Sequence, residues 1–308
     1  MNKIQAYNRD KRRASWKIES SLYFSAYSNA LQVNPLGDSD YELSPKIDLA
    51  ILVGPLDVEH ITWALEGALL TSLNNIVNVY IVTPSTQEAH VNQKIEAFYA
   101  TSNLATCKIQ VLTDEILLGN FPKLQTRLRK IPASRSNWYK QQLLKWVVAS
   151  KSDRSCLIID CELILLKPRL WVNSAGVQVH YVLNDLNPQY VFSIQKLFET
   201  KLPKVDFVSH CALFQKDILD ILSQGDMENF LLKWLNSGFT KYHPAPICEW
   251  QTYASFLVAF YPNRIKVGFQ DQPLVTDNNE IHKFKYESLR HKYQEFAAIY
   301  LSHKDLQH

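Results

Sequence analysis

The sequence predicts an α/β fold in which a mostly parallel sheet is flanked by helices. Short apolar, β-branched segments alternate with segments of helical periodicity through the first half of the chain. Apolar segments without polar alternation are typical of strands that are buried on both faces, as in parallel sheets. Since crossover helices join parallel strands, the alternation predicts strand–helix–strand units with ligands at the carboxyl ends of the strands.

Four strands are predicted in this first half. They are DLAILV (48–53), NVYIV (78–82), KIQVL (108–112) and CLIID (156–160). Between the first two, apolar residues recur on one helical stripe, and Asp57 stands where an N-cap is expected. Two further helices are predicted over residues 87–100 and 139–150.

After Pro168 the pattern is α+β in character. Strands are predicted over 206–213 and 265–269, and helices over 188–200, 216–235, 250–260 and 286–297. The sequence shows no repeat, low-complexity tract or clear linker. We therefore expect a partly mobile N-terminal extension (1–45) and a single domain (46–308) whose two halves, 46–168 and 169–308, share one core.

Composition excludes several classes of protein. The chain has 308 residues, of which 46% are hydrophobic, so it can bury a large core. Its five cysteines form no CxxC pair, which fits neither a disulfide framework nor a zinc knuckle. Apolar segments fall well short of the roughly 20 residues of a membrane helix, and the N-terminus is charged. These features predict a cytoplasmic protein.

Basic residues are unevenly placed along the chain. The segment between Gly119 and Ser152 has no acid. Its basic residues are Lys123, Arg127, Arg129, Lys130, Arg135, Lys140, Lys145 and Lys151. Such a segment is either a solvated face or a surface that receives an anion. Nucleic acid is not the expected partner, because few aromatic residues accompany these charges.

A second basic cluster lies near the N-terminus. It consists of Arg9, Lys11, Arg12 and Arg13. The cluster fits a solvated tail, and it also fits peripheral contact with the anionic inner face of a membrane.

Two acids interrupt apolar sequence in CLIIDCELILLKP (156–168). Asp160 ends one apolar strand, and Glu162 precedes a second apolar segment. An ionised carboxylate in an apolar interior costs several kcal/mol unless it is paired. At the carboxyl end of a strand, the two acids are predicted to hold a hard divalent cation, Mg²⁺ or Mn²⁺. The alternative is that one acid caps a helix or pairs with a buried Arg.

The preceding helix, NWYKQQLLKWVVA, has a second stripe beside its apolar one. This stripe consists of Trp138, Gln141, Gln142 and Lys145, at i, i+3, i+4 and i+7. Its amides and ammonium are predicted to line a pocket for an anionic donor or its acceptor, although each residue alone also fits an ordinary surface position. The sequence has neither GxGxxG nor GxxxxGK[ST], so a metal or side chains would have to hold phosphates.

Four segments carry a resemblance to a known family. They are NWYKQQLLKWVVA, CLIIDCELILLKP, FVSHCALFQKDIL and CEWQTYASFLVAFYP. In this order, over about residues 48–270, they resemble a poorly characterised bacterial glycosyltransferase-like family with the GT-A nucleotide-sugar fold. Its motifs are a W-x-x-QQ-x-x-K helix, a D-S-D strand end and an S-E-Y-type segment. This chain departs from them at Cys161, Glu162, Cys248 and Trp250, and at the usual glycine, where Ala254 or Ser255 stands.

The resemblance implies a GT-A-like, Rossmann-like sheet with a nucleotide-binding half (46–168) and an acceptor-side half (169–308). It implies a nucleotide-sugar donor, a glycan or other hydroxyl acceptor, and Mn²⁺ or Mg²⁺ at Asp160 and Glu162. His282 or His291 would supply a third metal ligand. A nucleotidyltransferase on a related sheet and a non-catalytic anion-binding module remain the alternatives.

Further site residues follow from the same resemblance. Glu249 and Tyr253 match the later motif, with Glu249 as the candidate general base of an inverting reaction and Tyr253 as a substrate contact. His210 would lie near the site, although a lone His in an apolar strand is more often a core residue. Asp57 follows the first strand, where such folds meet the nucleobase, although its N-cap position already explains it.

Overall fold

The computed structural model describes residues 44–102, 104, 107–182, 188–202, 205–238, 247–269, 272–276 and 284–302. Its central sheet has the strand order β3-β2-β1-β4-β7. These strands are β1 (Ile47–Leu52), β2 (Ile76–Thr83), β3 (Lys108–Thr113), β4 (Cys156–Asp160) and β7 (Cys211–Phe214). The first four are parallel and β7 runs antiparallel to β4. The expected α/β fold with a mostly parallel sheet is therefore confirmed.

The remaining strands of the described residues form two small sheets. They are β5 (Leu163–Leu165), β6 (Gln178–Val182), β8 (Ile265–Phe269), β9 (Leu274–Thr276) and β10 (Ala298–Ser302). One sheet has the order β5-β10-β9 and the other pairs β6 with β8. Strand β10 near the C-terminus thereby lies beside β5, which directly follows the acid pair.

Ten α-helices lie within the described residues. They are α1 (Ile61–Thr71), α2 (Glu88–Thr101), α3 (Asp114–Leu118), α4 (Pro122–Leu128), α5 (Ala133–Lys151), α6 (Pro188–Phe198), α7 (Lys216–Ser223), α8 (Met227–Gly238), α9 (Glu249–Phe260) and α10 (Tyr286–Lys292). Within this part of the chain, no helix combines the length and apolar character that crossing a bilayer requires.

The core has two layers because side chains of a strand alternate between the faces of its sheet. Ala50 and Leu52 of β1 join the layer with α5, α7, α8 and α9, whereas Leu49 and Ile51 join the layer with α1 and α2. All residues of β1 and β4 are buried. This double-sided burial explains why both strands lack polar alternation in the sequence.

Trp146 anchors α5 in the first layer. Its ring centroid lies 5.0 Å from that of Phe214, 5.4 Å from Phe230, 6.1 Å from Trp234 and 6.3 Å from Tyr253. Large aromatic contacts of this kind fix both the depth and the rotation of a helix. The side chains that neighbour Trp146 on α5 therefore have little freedom to change depth.

Several predicted boundaries are wrong in the second half. The strand predicted over 206–213 begins only at Cys211, because His210 has a φ of +56° and breaks the extended conformation. The helix predicted over 216–235 is two helices, since Gln224 and Gly225 have φ of +52° and +80°. Helix α10 ends at Lys292 rather than residue 297. Residues 1–43 of the predicted extension lie outside the described residues.

Candidate active site at the carboxyl end of β4

Three strand ends meet where β4 terminates. Asp160 pairs with Leu52 at the end of β1, and the NH of Cys161 donates to the Leu52 carbonyl at 3.2 Å. The NH of Asp160 donates to the carbonyl of His210, which directly precedes antiparallel β7, at 2.9 Å. The turn after β1, the acid pair and the residue before β7 therefore share the edge at which α/β sheets bind ligands.

A basic side chain lies beside each carboxylate oxygen of Asp160. Asp160 is 5% exposed, its Oδ1 lies 2.6 Å from the Lys145 ammonium, and its Oδ2 lies 3.1 Å from Nδ1 of His210. Burial alone would raise the pKa of Asp160, but the Lys145 ammonium and His210 hold it below its ordinary value. Asp160 is therefore an ionised carboxylate within the protein.

Lys145 lies between two buried carboxylates. It is 1% exposed, and its Nζ also donates to Oε1 of Glu249 at 2.6 Å. Burial would lower the pKa of Lys145, but Asp160 and Glu249 raise it, so the ammonium stays charged. The Trp250 ring centroid lies 4.4 Å from Nζ, and the Gln142 amide lies against Glu249. The alternative of a solvated Lys145 is therefore wrong.

Glu162 has one carboxylate oxygen paired and one without a partner. Tyr300 donates its hydroxyl to Oε1 at 3.1 Å, whereas the buried Oε2 has no hydrogen-bond partner within the described residues. Burial, followed by the nearby charges of Asp160 and Asp57, raises the pKa of Glu162 to about 7. An unpartnered buried oxygen beside other acids is what a cation-binding carboxylate offers when it is empty.

Glu162 predicts a pH dependence of stability in protein kept free of divalent cations by a chelator. Because its pKa rises from 4.5 to about 7 on folding, the folded state retains a proton that the unfolded state releases. The free energy of unfolding is expected to fall between about pH 5 and 7.5, by at most ~3 kcal/mol from this group. Thermal unfolding of wild type and Glu162→Gln at both pH values measures this fall. The same pH dependence in the two proteins would contradict a contribution from Glu162.

His210 adopts a left-handed backbone conformation at this site. A non-glycine residue with φ near +56° is uncommon, and such strain concentrates at functional sites. Its ring packs against that of Tyr300 at a tilt of 36° with centroids 4.3 Å apart, and its side chain is 26% exposed. His210 thus lies beside Asp160, partly exposed, rather than in the apolar core.

Tyr300 is the site residue that sequence reasoning missed. It contacts both His210 and Glu162, so one phenol joins the two sides of the acid pair. It reaches them because β10 pairs with β5, where Tyr300 lies opposite Leu163. Tyr300 is 138 residues from Glu162 in the chain, and no local sequence pattern predicts their contact.

The predicted roles of Glu249 and Tyr253 do not fit their positions. Glu249 is fully buried and bonded to Lys145, so it does not face an acceptor hydroxyl as a general base must. Tyr253 is also fully buried; its hydroxyl donates to Gln178 and accepts from the NH of Gln215. These contacts make Tyr253 a core residue and not a substrate contact.

Asp57 lies near the acid pair but does not cap a helix. It occupies the N-cap position of the short 3₁₀ helix Val58–His60 without forming a side-chain cap bond. Its Oδ2 instead accepts from the NH of Gly54 at 3.1 Å, and its carbonyl accepts from Sγ of Cys161. Asp57 therefore shapes the turn after β1 and adds negative charge beside Glu162.

The outer part of the predicted stripe lies further along α5. Trp138 packs edge-on against Tyr139 with centroids 5.0 Å apart, and both Trp138 and Gln141 are half-buried. A separation of seven residues places Trp138 about 10 Å along the helix from Lys145. Trp138 and Gln141 therefore remain predicted pocket residues, whereas Gln142 and Lys145 are buried in the ion-pair network.

The described residues contain no group of three or more His, Cys, Asp or Glu side chains arranged to hold a metal ion. His291, one of the two predicted third ligands, is exposed on α10. The other, His282, lies outside the described residues. The two carboxylates at the end of β4 are thus the protein ligands on which a cation site would depend.

Comparisons with known proteins found similar solved structures but no match in sequence. No protein-family model matches the sequence, and a search of curated proteins found no match. The structure is similar to the apo form of mouse xyloside xylosyltransferase 1, at 12% identity and a TM-score of 0.48, over 85% of this chain and 99% of that chain. It is also similar to the galactosyltransferase LgtC in complex with donor and acceptor sugar analogues, at 9% identity and a TM-score of 0.44, over 84% and 88% of the chains. Likeness at this level carries no argument about substrate or mechanism.

Proposed function

We propose that the protein is a glycosyltransferase with a GT-A-type site. It would move a sugar from a nucleotide diphosphate donor to a hydroxyl of a glycan or related acceptor. The observation that carries the proposal is the meeting of Asp160 and Glu162 at the carboxyl end of β4, with strained His210 beside them. The resemblance of the four sequence segments to a glycosyltransferase-like family also supports the proposal.

The acid pair fits a divalent cation. The buried Oε2 of Glu162 has no partner among the described residues, and burial, followed by the charges of the neighbouring acids, raises the pKa of this carboxylate. A bound cation would give Oε2 a partner and would lower the pKa of Glu162. Carboxylate oxygens are ligands for Mg²⁺ and Mn²⁺, and these ions keep open positions for phosphate oxygens and water. Asp160 and Glu162 would therefore hold the cation together with the donor diphosphate.

The chemistry requires one bond to break and one to form. The bond between the anomeric carbon and the diphosphate oxygen breaks with its electron pair on the diphosphate, the acceptor oxygen bonds to that carbon, and the proton of the acceptor hydroxyl passes to the departing diphosphate or to water. When bound, the cation would neutralise charge on the departing diphosphate. Lys145 and His210 hold the Asp160 carboxylate ionised and oriented, and Tyr300 orients Glu162.

A nucleotide screen tests this proposal. Calorimetric titration of UDP, GDP and CTP into wild-type protein, with Mn²⁺ and with chelator, should show one nucleoside diphosphate whose affinity rises at least about tenfold with Mn²⁺. The matching nucleotide sugars should then bind and undergo slow hydrolysis or transfer. Binding of CTP alone would favour a nucleotidyltransferase. Metal-independent binding that weakens steeply with salt would favour an anion-binding module instead.

A further inference from the structure

Lys145 holds a position that bears directly on cation binding. Its ammonium lies 2.6 Å from Oδ1 of Asp160, and it is almost completely buried. A positive charge this close to a metal ligand repels a second cation on the same carboxylate, and burial leaves that repulsion poorly screened. The basic residue therefore does more than orient Asp160.

We infer that Lys145 is an internal counter-cation that weakens the binding of free divalent cations to Asp160, and that Glu249 sets the strength of this effect. The inference rests on the proposed function, since it concerns the same cation site. It assigns no ligand contact to either residue. Both act through Asp160, so they are positioning residues.

The geometry limits how Asp160 can bind a cation. Lys145 takes Oδ1, while Oδ2 lies 3.1 Å from Nδ1 of His210. The Lys145 ammonium cannot easily move away, because its helix is fixed by the aromatic contacts of Trp146. His210 is the more exposed partner and is thus the one able to yield. A cation held by Asp160 would therefore lie near the positive charge of Lys145.

Glu249 acts in the opposite direction from Lys145. Its carboxylate lies 2.6 Å from Nζ and neutralises part of the ammonium charge. Without Glu249 the full charge of Lys145 would act on Asp160 and on any cation there. Replacement of Glu249 alone should therefore weaken cation binding. Replacement of Lys145 and Glu249 together should strengthen it, because Lys145 is the one of the two that contacts Asp160.

This arrangement couples the cation to an anionic donor. A cation that binds without nucleotide is repelled by the Lys145 ammonium. A diphosphate that binds with the cation supplies negative charge that offsets this repulsion. By linkage, the donor then raises cation affinity by the same factor as the cation raises donor affinity. The site would be loaded with both ligands together rather than with metal first.

Affinity for Mn²⁺ without nucleotide tests the inference. Free Mn²⁺ is measured by electron paramagnetic resonance in titrations of wild type, Glu249→Gln and the double variant Lys145→Met/Glu249→Gln. We expect about tenfold weaker binding for Glu249→Gln and about tenfold tighter binding for the double variant, relative to wild type. Replacing a buried ion pair by neutral residues of similar size often preserves folding, which thermal unfolding checks.

Lys140→Met is the matched control. Lys140 lies on the same helix in an ion pair with Asp114, so the variant removes one positive charge at a distance from Asp160. Its Mn²⁺ affinity should equal that of wild type. An effect of net charge alone would appear in this control.

The direction of the change in Mn²⁺ affinity shows whether Lys145 opposes cation binding or only orients Asp160. If the double variant binds Mn²⁺ no more tightly than wild type, the inference is overturned while the proposed cation site stands. If the double variant does not fold, Glu249→Gln decides, and an affinity equal to or above wild type overturns the inference. No binding of Mn²⁺ by wild type, with or without UDP and GDP, would overturn the cation site as well.

Discussion

Replacement of Lys145 by Ala is expected to lower the free energy of unfolding by about 3–5 kcal/mol, because it leaves two buried carboxylates without their shared cation. Lys145 contacts both Asp160 and Glu249 at 2.6 Å in a site that excludes water. Buried charges are poorly screened by salt, so the loss should be nearly the same at low and high ionic strength. Urea denaturation at two salt concentrations measures both quantities.

Lys140→Ala provides the comparison on the same helix. The Lys140 side chain is 31% exposed and pairs with Asp114 at 2.6 Å. An ion pair open to water contributes about 0–1 kcal/mol, and salt weakens it. A loss of similar size in the two variants, or a Lys145 effect that disappears in salt, would contradict the buried network.

The first half of the fold was accessible from the sequence because its strands are uniformly buried. Strands β1 and β4 are buried along their whole length and apolar except for Asp48 and Asp160, so their sequence pattern identifies them without knowledge of their partners. The second half depends on single residues whose backbone conformations have no periodic signal. His210 and Gln224 take left-handed conformations that divide one strand and one helix, and neither is a glycine.

The sequence predicted candidate site residues but not the side chains that surround them. The sequence located Asp160 and Glu162 because acids within apolar strand need partners, and the helical stripe placed Lys145 nearby. The position of a residue on a helical stripe predicts the direction of its side chain but not which residues pack over it. The burial of Lys145 follows from α9, which brings Glu249 to it from 104 residues away. Tyr300 depends on strand pairing across a similar distance, which local patterns do not encode.

Replacement of Asp160 by Asn is expected to abolish the dependence of nucleotide binding on divalent cation. Asn keeps the volume of Asp160 and an oxygen that can accept from Lys145, but it lacks the charge that a hard cation requires. The affinity of the preferred nucleoside diphosphate in Mn²⁺ should fall at least ~10-fold, to its value in chelator. Glu162→Gln should lower it less, because the longer side chain is the more adaptable ligand.

Calorimetric titration of wild type and Asp160→Asn, each with Mn²⁺ and with chelator, separates loss of the cation from loss of the fold. In chelator the two proteins should bind nucleotide equally, since Asp160 would contact the donor only through the cation. If Asp160→Asn lowers nucleotide affinity equally in Mn²⁺ and in chelator, the pocket is distorted, because Asp160 also pairs with Lys145 and His210. Equal affinity in all four titrations would mean that the carboxylates at the end of β4 hold no cation, and the proposed transfer would lose its main support.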